Sequence, residues 1–206
     1  MKAIGWSKLV VFTVCMLPLA RLGWAAYHGD LGANPLEVIT HTTGDWTIRF
    51  LLITLCVTPL RQITKFYWLI RYRRMLGLFA FFYGTLHLTT YLWFDKFFSW
   101  PAILEDIGKR KFITVGFSGF VLMIPLAVTS TKGMIRRLGR KWTAIHRLIY
   151  ASAGLGVIHY YWLVKADHRL PLAYGAILLV LLAYRMVKWV GPKLAAGRVE
   201  AAAPNA

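Results

Sequence analysis

The sequence predicts an all-α integral membrane protein, a bundle of about six transmembrane helices with both termini in the cytoplasm. Three observations favour this class: a hydrophobic fraction of 58%, a charged fraction of only 16%, and a mean hydropathy of +0.53 over 206 residues. A chain this apolar is neither disordered nor typical of a soluble domain. Its net charge of +17 would suggest nucleic acid in a soluble protein. Because the cations separate long apolar runs, we expect a lipid bilayer as partner and no nucleic acid.

Six apolar runs approach the roughly 20 residues that a helix needs to cross a bilayer core of about 30 Å. They span residues 9–27, 46–60, 75–94, 112–131, 142–164 and 170–184. The second and last runs are short and are expected to extend into their flanks. The first follows two lysines, as a signal peptide does, but Arg21 interrupts it, so an uncleaved helix is the simpler interpretation. We expect one domain over residues 1–192 and a disordered cytoplasmic tail over residues 193–206.

The lysines and arginines of the loops predict which side of the membrane each loop faces. One set of termini and loops carries 16 of them, whereas the opposite set carries six, together with seven of the eight acidic residues. Cation-rich loops favour the cytoplasmic side, so both termini are expected there. The acidic loops are then expected to face outward.

Three histidines lie inside predicted spans, where a polar residue is costly and seldom accidental. His87 lies in the third span, and His146 and His159 lie in the fifth. His87 is seven residues from the outer end of its span and His159 is five from the outer end of its own. At ~1.5 Å per residue, these two imidazoles lie within about 3 Å of the same depth. They could therefore face each other in the outer half of the bilayer.

Each of these two histidines follows a glycine, Gly84 or Gly156, by three residues. Helical side chains lean toward the N-terminus, so the glycine leaves a hollow beside the imidazole that suits a flat macrocycle. Two imidazoles from facing helices form a six-coordinate, electron-transferring haem b site. The alternative is that the histidines are polar contacts between helices. A depth-matched pair with matching glycines favours the metal.

His146 precedes His159 by 13 residues, which is ~20 Å along an ideal helix and about 220° around it. The two therefore cannot serve one iron unless the helix bends at Gly154 or Gly156. His146 could ligate a second haem with an unusual partner, contact a quinone or flavin beside Arg147, or serve only in packing. A guanidinium suits haem propionates or a flavin phosphate, which makes Arg147 a candidate cofactor-binding residue.

The sequence contains no motif of a hydrolase, an NTPase, a metalloprotease or a pyridine-nucleotide enzyme. Its two cysteines lie inside apolar runs, so neither a disulfide framework nor a thiolate metal site is expected. We predict no catalytic residue. The chain is expected to act as an electron-transfer subunit, with its electron donor and acceptor supplied by other molecules.

Several segments resemble the MsrQ family (older name YedZ), haem-binding membrane subunits of the periplasmic protein-methionine-sulfoxide reductase system. The resemblance runs from about residue 28 to residue 190 and includes the 13-residue gap between the last two histidines. The segments that carry it are 34–44 (NPLEVITHTTG), 73–78 (RRMLGL), 86–88 (LHL), 125–130 (PLAVTS), 138–150 (LGRKWTAIHRLIY) and 159–162 (HYYW).

The resemblance implies a ferric-reductase-like transmembrane domain in the bacterial inner membrane that carries haem b and is associated with FMN. It implies electron transfer from the quinone pool to a periplasmic molybdopterin subunit, MsrP, which repairs methionine sulfoxide in oxidised envelope proteins. The family's candidate ligands correspond to His87, His146 and His159. Ferric reductases usually carry two histidines on each of two helices, and this chain has one in its third span. The alternatives are a ferric or quinone reductase with another acceptor, and a non-redox scaffold or transporter.

Overall fold

The structure is a computed structural model that describes the backbone of residues 2–202 and the side chains of residues 5–189. Within these residues every regular element is helical and there is no β-strand, which confirms the predicted all-α class. The helices are α1 (Lys2–His28), α2 (Pro35–Thr64), α3 (Ile70–Thr90), α4 (Trp100–Lys109), α5 (Lys111–Val128), α6 (Lys132–Leu138), α7 (Arg140–Ile145), α8 (Leu148–Leu163) and α9 (Arg169–Ala202). The predicted tail begins within α9, and residues 203–206 lie outside the described residues.

Within the described residues, four helices are long and apolar enough to cross a membrane: Gly5–His28, Tyr67–Asp95, Lys111–Val128 and Arg169–Trp189. The second of these starts in a 3₁₀ turn before α3 and ends in a π-helical turn after it. The other two predicted spans are also helical, but α2 carries several charged residues and α8 has only 16 residues. The protein is therefore a multi-span membrane protein, while six crossings and cytoplasmic termini stay predictions.

The predicted fifth span is not one continuous helix. α7 ends at Ile145 and α8 begins at Leu148, with His146 and Arg147 in the turn between them. The amide of Arg147 bonds the carbonyl of Ala144, three residues back instead of four, which tightens the chain at this point. The helix is not interrupted at Gly154 or Gly156, since α8 continues through both glycines.

The helices that carry the two outer histidines each pack along a partner. α3, with His87, lies along α2, and α8, with His159, lies along α5. Small residues allow the second pair to approach closely. The Ser152 hydroxyl donates to the Gly119 carbonyl at 2.9 Å, and a Cβ on Gly119 would lie 3.3 Å from Leu155.

α1 is held against the bundle by a tyrosine that enters its backbone. Pro18 in α1 lacks an amide hydrogen, which opens the helix at this turn. The buried Tyr83 hydroxyl accepts a hydrogen bond from the Leu19 amide at 3.2 Å and donates one to the Cys15 carbonyl at 2.9 Å. It thus stands between a donor and an acceptor that would otherwise bond each other directly. The same helix, α3, presents His87 one turn further on.

Candidate functional site

His87 and His159 face each other across the interface between the two helix pairs. Their ring centres are 6.0 Å apart and the rings are nearly perpendicular, at 76°. A metal-bound imidazole nitrogen lies about 2.0–2.1 Å from the metal and the ring centre about 1 Å further, so two axial imidazoles have centres about 6 Å apart. The observed separation therefore has room for one metal atom between the rings.

Each imidazole is oriented by the partner helix of its own pair. The Nδ1–H of His87 donates to the Thr40 carbonyl in α2 at 2.9 Å, and the Nδ1–H of His159 donates to the Phe112 carbonyl in α5 at 2.7 Å. A carbonyl can only accept, so both rings carry their proton on Nδ1. Each Nε2 then keeps its lone pair for a metal, as metal-binding histidines usually do.

Two glycines of the partner helices lie against the imidazoles. A Cβ on Gly44 would approach His87 to 3.0 Å, and a Cβ on Gly116 would approach His159 to 2.5 Å. A side chain at residue 116 therefore cannot fit unless the ring moves, whereas one at residue 44 would need a shift of a few tenths of an ångström. Sequence reasoning missed both residues, because it considered only Gly84 and Gly156 on the helices that carry the histidines.

The two rings line an outer cavity of about 490 Å³. Gly84 and Gly156 also line it, and a Cβ on either would meet neighbouring side chains at 3.3–3.4 Å. The described residues contain no group of three or more His, Cys, Asp or Glu side chains that could hold a metal ion. Two protein nitrogens alone bind a free ion poorly, so this donor set suits a metal that brings its other ligands with it, as in a metalloporphyrin.

The rim of the outer cavity is polar and mixed in charge. Glu37, His41, Asp45, Asp95 and Arg110 line it. Asp45 also pairs with Arg49 at 3.2 Å, whose Nε donates to the Tyr174 hydroxyl at 2.8 Å. Arg49 is therefore part of this polar network.

A buried ion pair closes the outer side. The Lys96 ammonium lies 2.6 Å from the Asp106 carboxylate, which also accepts a hydrogen bond from the Tyr91 hydroxyl at 3.2 Å. Burial raises the pKa of Asp106, but the hydrogen bond from Lys96 and the charges of Arg110 and Lys96 hold that pKa below its ordinary value. The same hydrogen bond raises the pKa of Lys96. The pair links the loop after α3 to α4.

His146 and Arg147 lie apart from this site, at an inner cavity of about 910 Å³. His146 stacks on Trp142 with ring centres 3.9 Å apart, and its Nδ1–H donates to the Trp142 carbonyl at 3.1 Å. The structure places His146 at this inner cavity and not between His87 and His159. No second histidine lines this cavity among the described residues.

The inner cavity is strongly cationic. Among the described residues, its lining contains four arginines and no Asp or Glu: Arg73, Arg74, Arg147 and Arg185. Arg185 donates to the Tyr150 hydroxyl at 2.7 Å. The hydroxyls of Thr54 and Thr58 also line the cavity and have no hydrogen-bond partner in the described part of the chain. Unpaired buried hydroxyls beside arginines fit a polar, anionic ligand.

Arg73 and Arg74 belong to a cation cluster that the sequence favours as a topology signal, with the holding of a flavin as the lesser alternative. A spacing signal could have found Arg73. It precedes His87 by 14 residues, almost the 13 residues by which His146 precedes His159. Equal spacing from two depth-matched residues places Arg73 and His146 at a common inner depth.

The paired helices and their facing histidines define a membrane domain of the ferric reductase class. The family described as "Ferric reductase like transmembrane component" matches residues 43–157, which is more than half of the chain. No solved structure matches this chain.

Relatives that match most of the chain indicate one family within this class. "Protein-methionine-sulfoxide reductase heme-binding subunit MsrQ" of Herminiimonas arsenicoxydans is 53% identical over 189 residues, 90% of this chain and 86% of the relative. Proteins of the same name from Caulobacter vibrioides and Xanthomonas campestris are 49% and 47% identical; they cover 90% and 96% of this chain, and 88% and 94% of their own lengths. The chain belongs to the MsrQ family, as its sequence motifs predict.

Proposed function

We propose that this chain is the haem-binding membrane subunit of a protein-methionine-sulfoxide reductase system, and that it carries electrons without reducing the sulfoxide itself. The observation that carries the proposal is the facing pair His87 and His159, each with Nδ1 bonded to a carbonyl and Nε2 free. The printed names of the relatives, which call them heme-binding subunits, support it.

The chain's own residues would hold haem b in the outer cavity. His87 and His159 would supply both axial nitrogens, and the Thr40 and Phe112 carbonyls would fix the orientation of the rings. Gly84 and Gly156 leave room beside them. When bound, haem supplies a reversible one-electron carrier. Because His87 and His159 would both be bound to the haem, the site would suit electron transfer better than binding of a small substrate.

For the inner cavity we propose FMN as the occupant. Arg147 and the other arginines suit a phosphate, and Trp142 and His146 offer flat surfaces to a planar ring. The unpaired Thr54 and Thr58 hydroxyls add hydrogen-bonding groups on the opposite helix. On this proposal His146 is a cofactor contact and not an iron ligand. A second haem ligated by His146 is the outcome that would replace it.

We further propose that the chain crosses the bacterial inner membrane six times with both termini in the cytoplasm. α2 would be the second span, and α7 with α8 would form the fifth. The outer cavity then faces the periplasm and the inner cavity the cytoplasm, as the distribution of cations supports. One quinol supplies the two electrons that reduce one methionine sulfoxide to methionine, with two protons taken up and water released. The periplasmic acceptor would be the molybdopterin subunit MsrP.

The test of the haem site is the absorption spectrum of purified wild type beside three alanine variants. His87→Ala and His159→Ala are each expected to lose the low-spin spectrum of a bis-histidine haem, whereas His146→Ala keeps it. Loss in His146→Ala but not in His159→Ala would contradict the pairing. A wild-type sample without a haem band, grown with ample haem, would favour a non-redox scaffold or transporter.

The test of the acceptor is reoxidation of the quinol-reduced protein. Addition of oxidised MsrP is expected to reoxidise the haem. Reoxidation by ferric chelates but not by MsrP would favour a ferric reductase, the alternative to which the match with ferric reductases gives some support. Failure of quinol to reduce the haem would remove the quinone pool as donor.

A further inference from the structure

The loop and helix outside the outer cavity display an unusual number of exposed aromatic side chains. We call residues 93–104 the outer aromatic segment. Six of its side chains are apolar and more than half exposed: Trp93, Phe94, Phe97, Phe98, Trp100 and Leu104. An apolar group of this size on a protein surface marks contact with a partner or a membrane.

The faces of α4 divide this surface into three sectors. Ile103 and Asp106 are buried, and Ile103 lines the outer cavity. Trp100 and Leu104, one turn apart, form an exposed apolar sector. Glu105 and Lys109, also one turn apart, form an exposed ion pair at 2.5 Å on the next sector round. A helix with separate apolar and charged exposed faces suits the plane of a membrane interface.

The backbone before α4 is strained in a way that keeps the aromatic side chains outside. Phe97 and Phe98 have φ of 47° and 55°, in the left-handed region that bulky residues rarely occupy. Such residues persist only where surrounding contacts hold them. Here the Phe98 amide bonds the Leu92 carbonyl at 2.9 Å, the Ser99 amide bonds the Lys96 carbonyl at 2.8 Å, and Lys96 is anchored on Asp106.

We propose that the outer aromatic segment inserts into the headgroup region of the outer leaflet, so that α4 lies in the membrane surface and covers the outer cavity. Lipid is favoured as the contact because the segment begins in the last turn of the span that ends at Asp95 and continues beyond it. Its exposed aromatics therefore extend a surface that already faces lipid. Tryptophan is also enriched at membrane interfaces. The sequence predicts an outward loop over residues 95–111, and this proposal places the aromatic part of that loop in the headgroup region.

The arrangement would fix the height of the site relative to the membrane. Ile103 and Ile107 line the outer cavity from α4, on the sector beside the apolar one. A partner approaching from the periplasm would then meet the rim residues of α2, such as Glu37 and His41, and not α4. The proposal concerns the location of a segment and does not depend on which cofactor occupies the cavity.

The experiment measures the depth of single labels in vesicles of phosphatidylcholine and phosphatidylglycerol. Cys15 and Cys56 are replaced by serine, and an environment-sensitive fluorophore is attached to cysteine in Phe97→Cys, Leu104→Cys or Glu105→Cys. The last two variants are neighbours on one helix and serve as a matched pair. Val121→Cys, on the exposed face of α5, is the control within a span.

Nitroxide-labelled lipid is expected to quench the fluorophores at residues 97 and 104 at least about three times as strongly as the fluorophore at residue 105. The reason is that an interfacial helix buries only its apolar face, to a depth of about 5–10 Å. Aqueous iodide should give the reverse order. Equal iodide quenching at 104 and 105, with no lipid quenching at either, would overturn the proposal. So would protection of 97 and 104 that appears only when a periplasmic partner is added. If the Leu104→Cys protein does not fold, the Trp100→Cys protein reports the same sector.

Discussion

Gly116→Ala tests the fit between α5 and the His159 imidazole. The added Cβ would lie 2.5 Å from Nδ1, about 0.9 Å short of the 3.4 Å at which ordinary contact begins, and within 2.9 Å of two further ring atoms. The ring cannot simply turn away, because its Nδ1–H is held by the Phe112 carbonyl at 2.7 Å. A binding site must keep its geometry within about 0.5 Å to function, so the shift is large.

We expect Gly116→Ala to weaken haem binding by the energy of an overpacked site, about 1–3 kcal/mol, or about 5- to 150-fold. Gly44→Ala should have a smaller effect, under about tenfold, because its Cβ would lie 3.0 Å from the nearest His87 atom and needs a shift of only a few tenths of an ångström. Gly154→Ala is the matched control. Its Cβ meets nothing within 4 Å, and α8 is helical there.

The assay is the rate of haem transfer from each purified variant to an excess of a haem-scavenging apoprotein, with the absorption spectrum recorded before transfer. The expected order of rates is Gly116→Ala fastest, then Gly44→Ala, then Gly154→Ala equal to wild type. If Gly116→Ala retains haem as tightly as Gly154→Ala, the imidazole of residue 159 is not held where the structure places it, and the reasoning fails.

Three further predictions follow from the contacts described. Tyr83→Phe removes both hydrogen bonds to α1 and should lower the free energy of unfolding by about 1–3 kcal/mol, seen as a lower midpoint of thermal unfolding with an unchanged haem spectrum; an unchanged midpoint would contradict it. Asp106→Asn removes the ion pairs of Asp106 with Lys96 and Arg110, while Lys96 keeps the Asp95 carboxylate at 3.5 Å; the change should cost about 1–3 kcal/mol in the same assay. In wild type the pKa of Asp106 is lowered and the pKa of Lys96 is raised. The contribution of Asp106 to stability is therefore lost only as the pH falls below the usual carboxylate range, and the raised pKa of Lys96 preserves the ion pair at high pH. The stability that this pair contributes should be constant between about pH 5 and pH 9. Arg147→Gln should weaken FMN retention without altering the low-spin haem spectrum, measured by flavin released on denaturation; unchanged flavin content would count against the inner cavity as its site.

The membrane class and the pairing of the histidines could be predicted because each depends on one-dimensional quantities. Apolar run length fixes which segments can cross a bilayer, and residue spacing from a span's end fixes depth. That was enough to place His87 and His159 at a common level and to separate His146 from them. The structure brings the first two to 6.0 Å and leaves the third at another cavity.

The glycines and carbonyls that contact the imidazoles could not be predicted, because they lie on neighbouring helices. Residue spacing along one helix does not show which helices pack together. Gly44 and Gly116 matter because α2 and α5 pass beside the rings, and the Thr40 and Phe112 carbonyls matter for the same reason. The break at residues 146–147 was hidden because the apolar run continues through it. The separate apolar and charged faces of residues 100–109 likewise depend on α4, a helix that the apolar runs did not predict.

The central claim is that the nitrogens of His87 and His159 together hold one haem iron. The most direct test removes each histidine side chain in turn and adds imidazole from solution in its place. His87→Gly and His159→Gly are purified with haem, and imidazole is added while the low-spin absorption bands are followed. The account predicts that each variant lacks these bands and recovers them with added imidazole, whereas His146→Gly has them throughout. Bands that persist in either of the first two variants without imidazole, or that vanish only in the third, would contradict it.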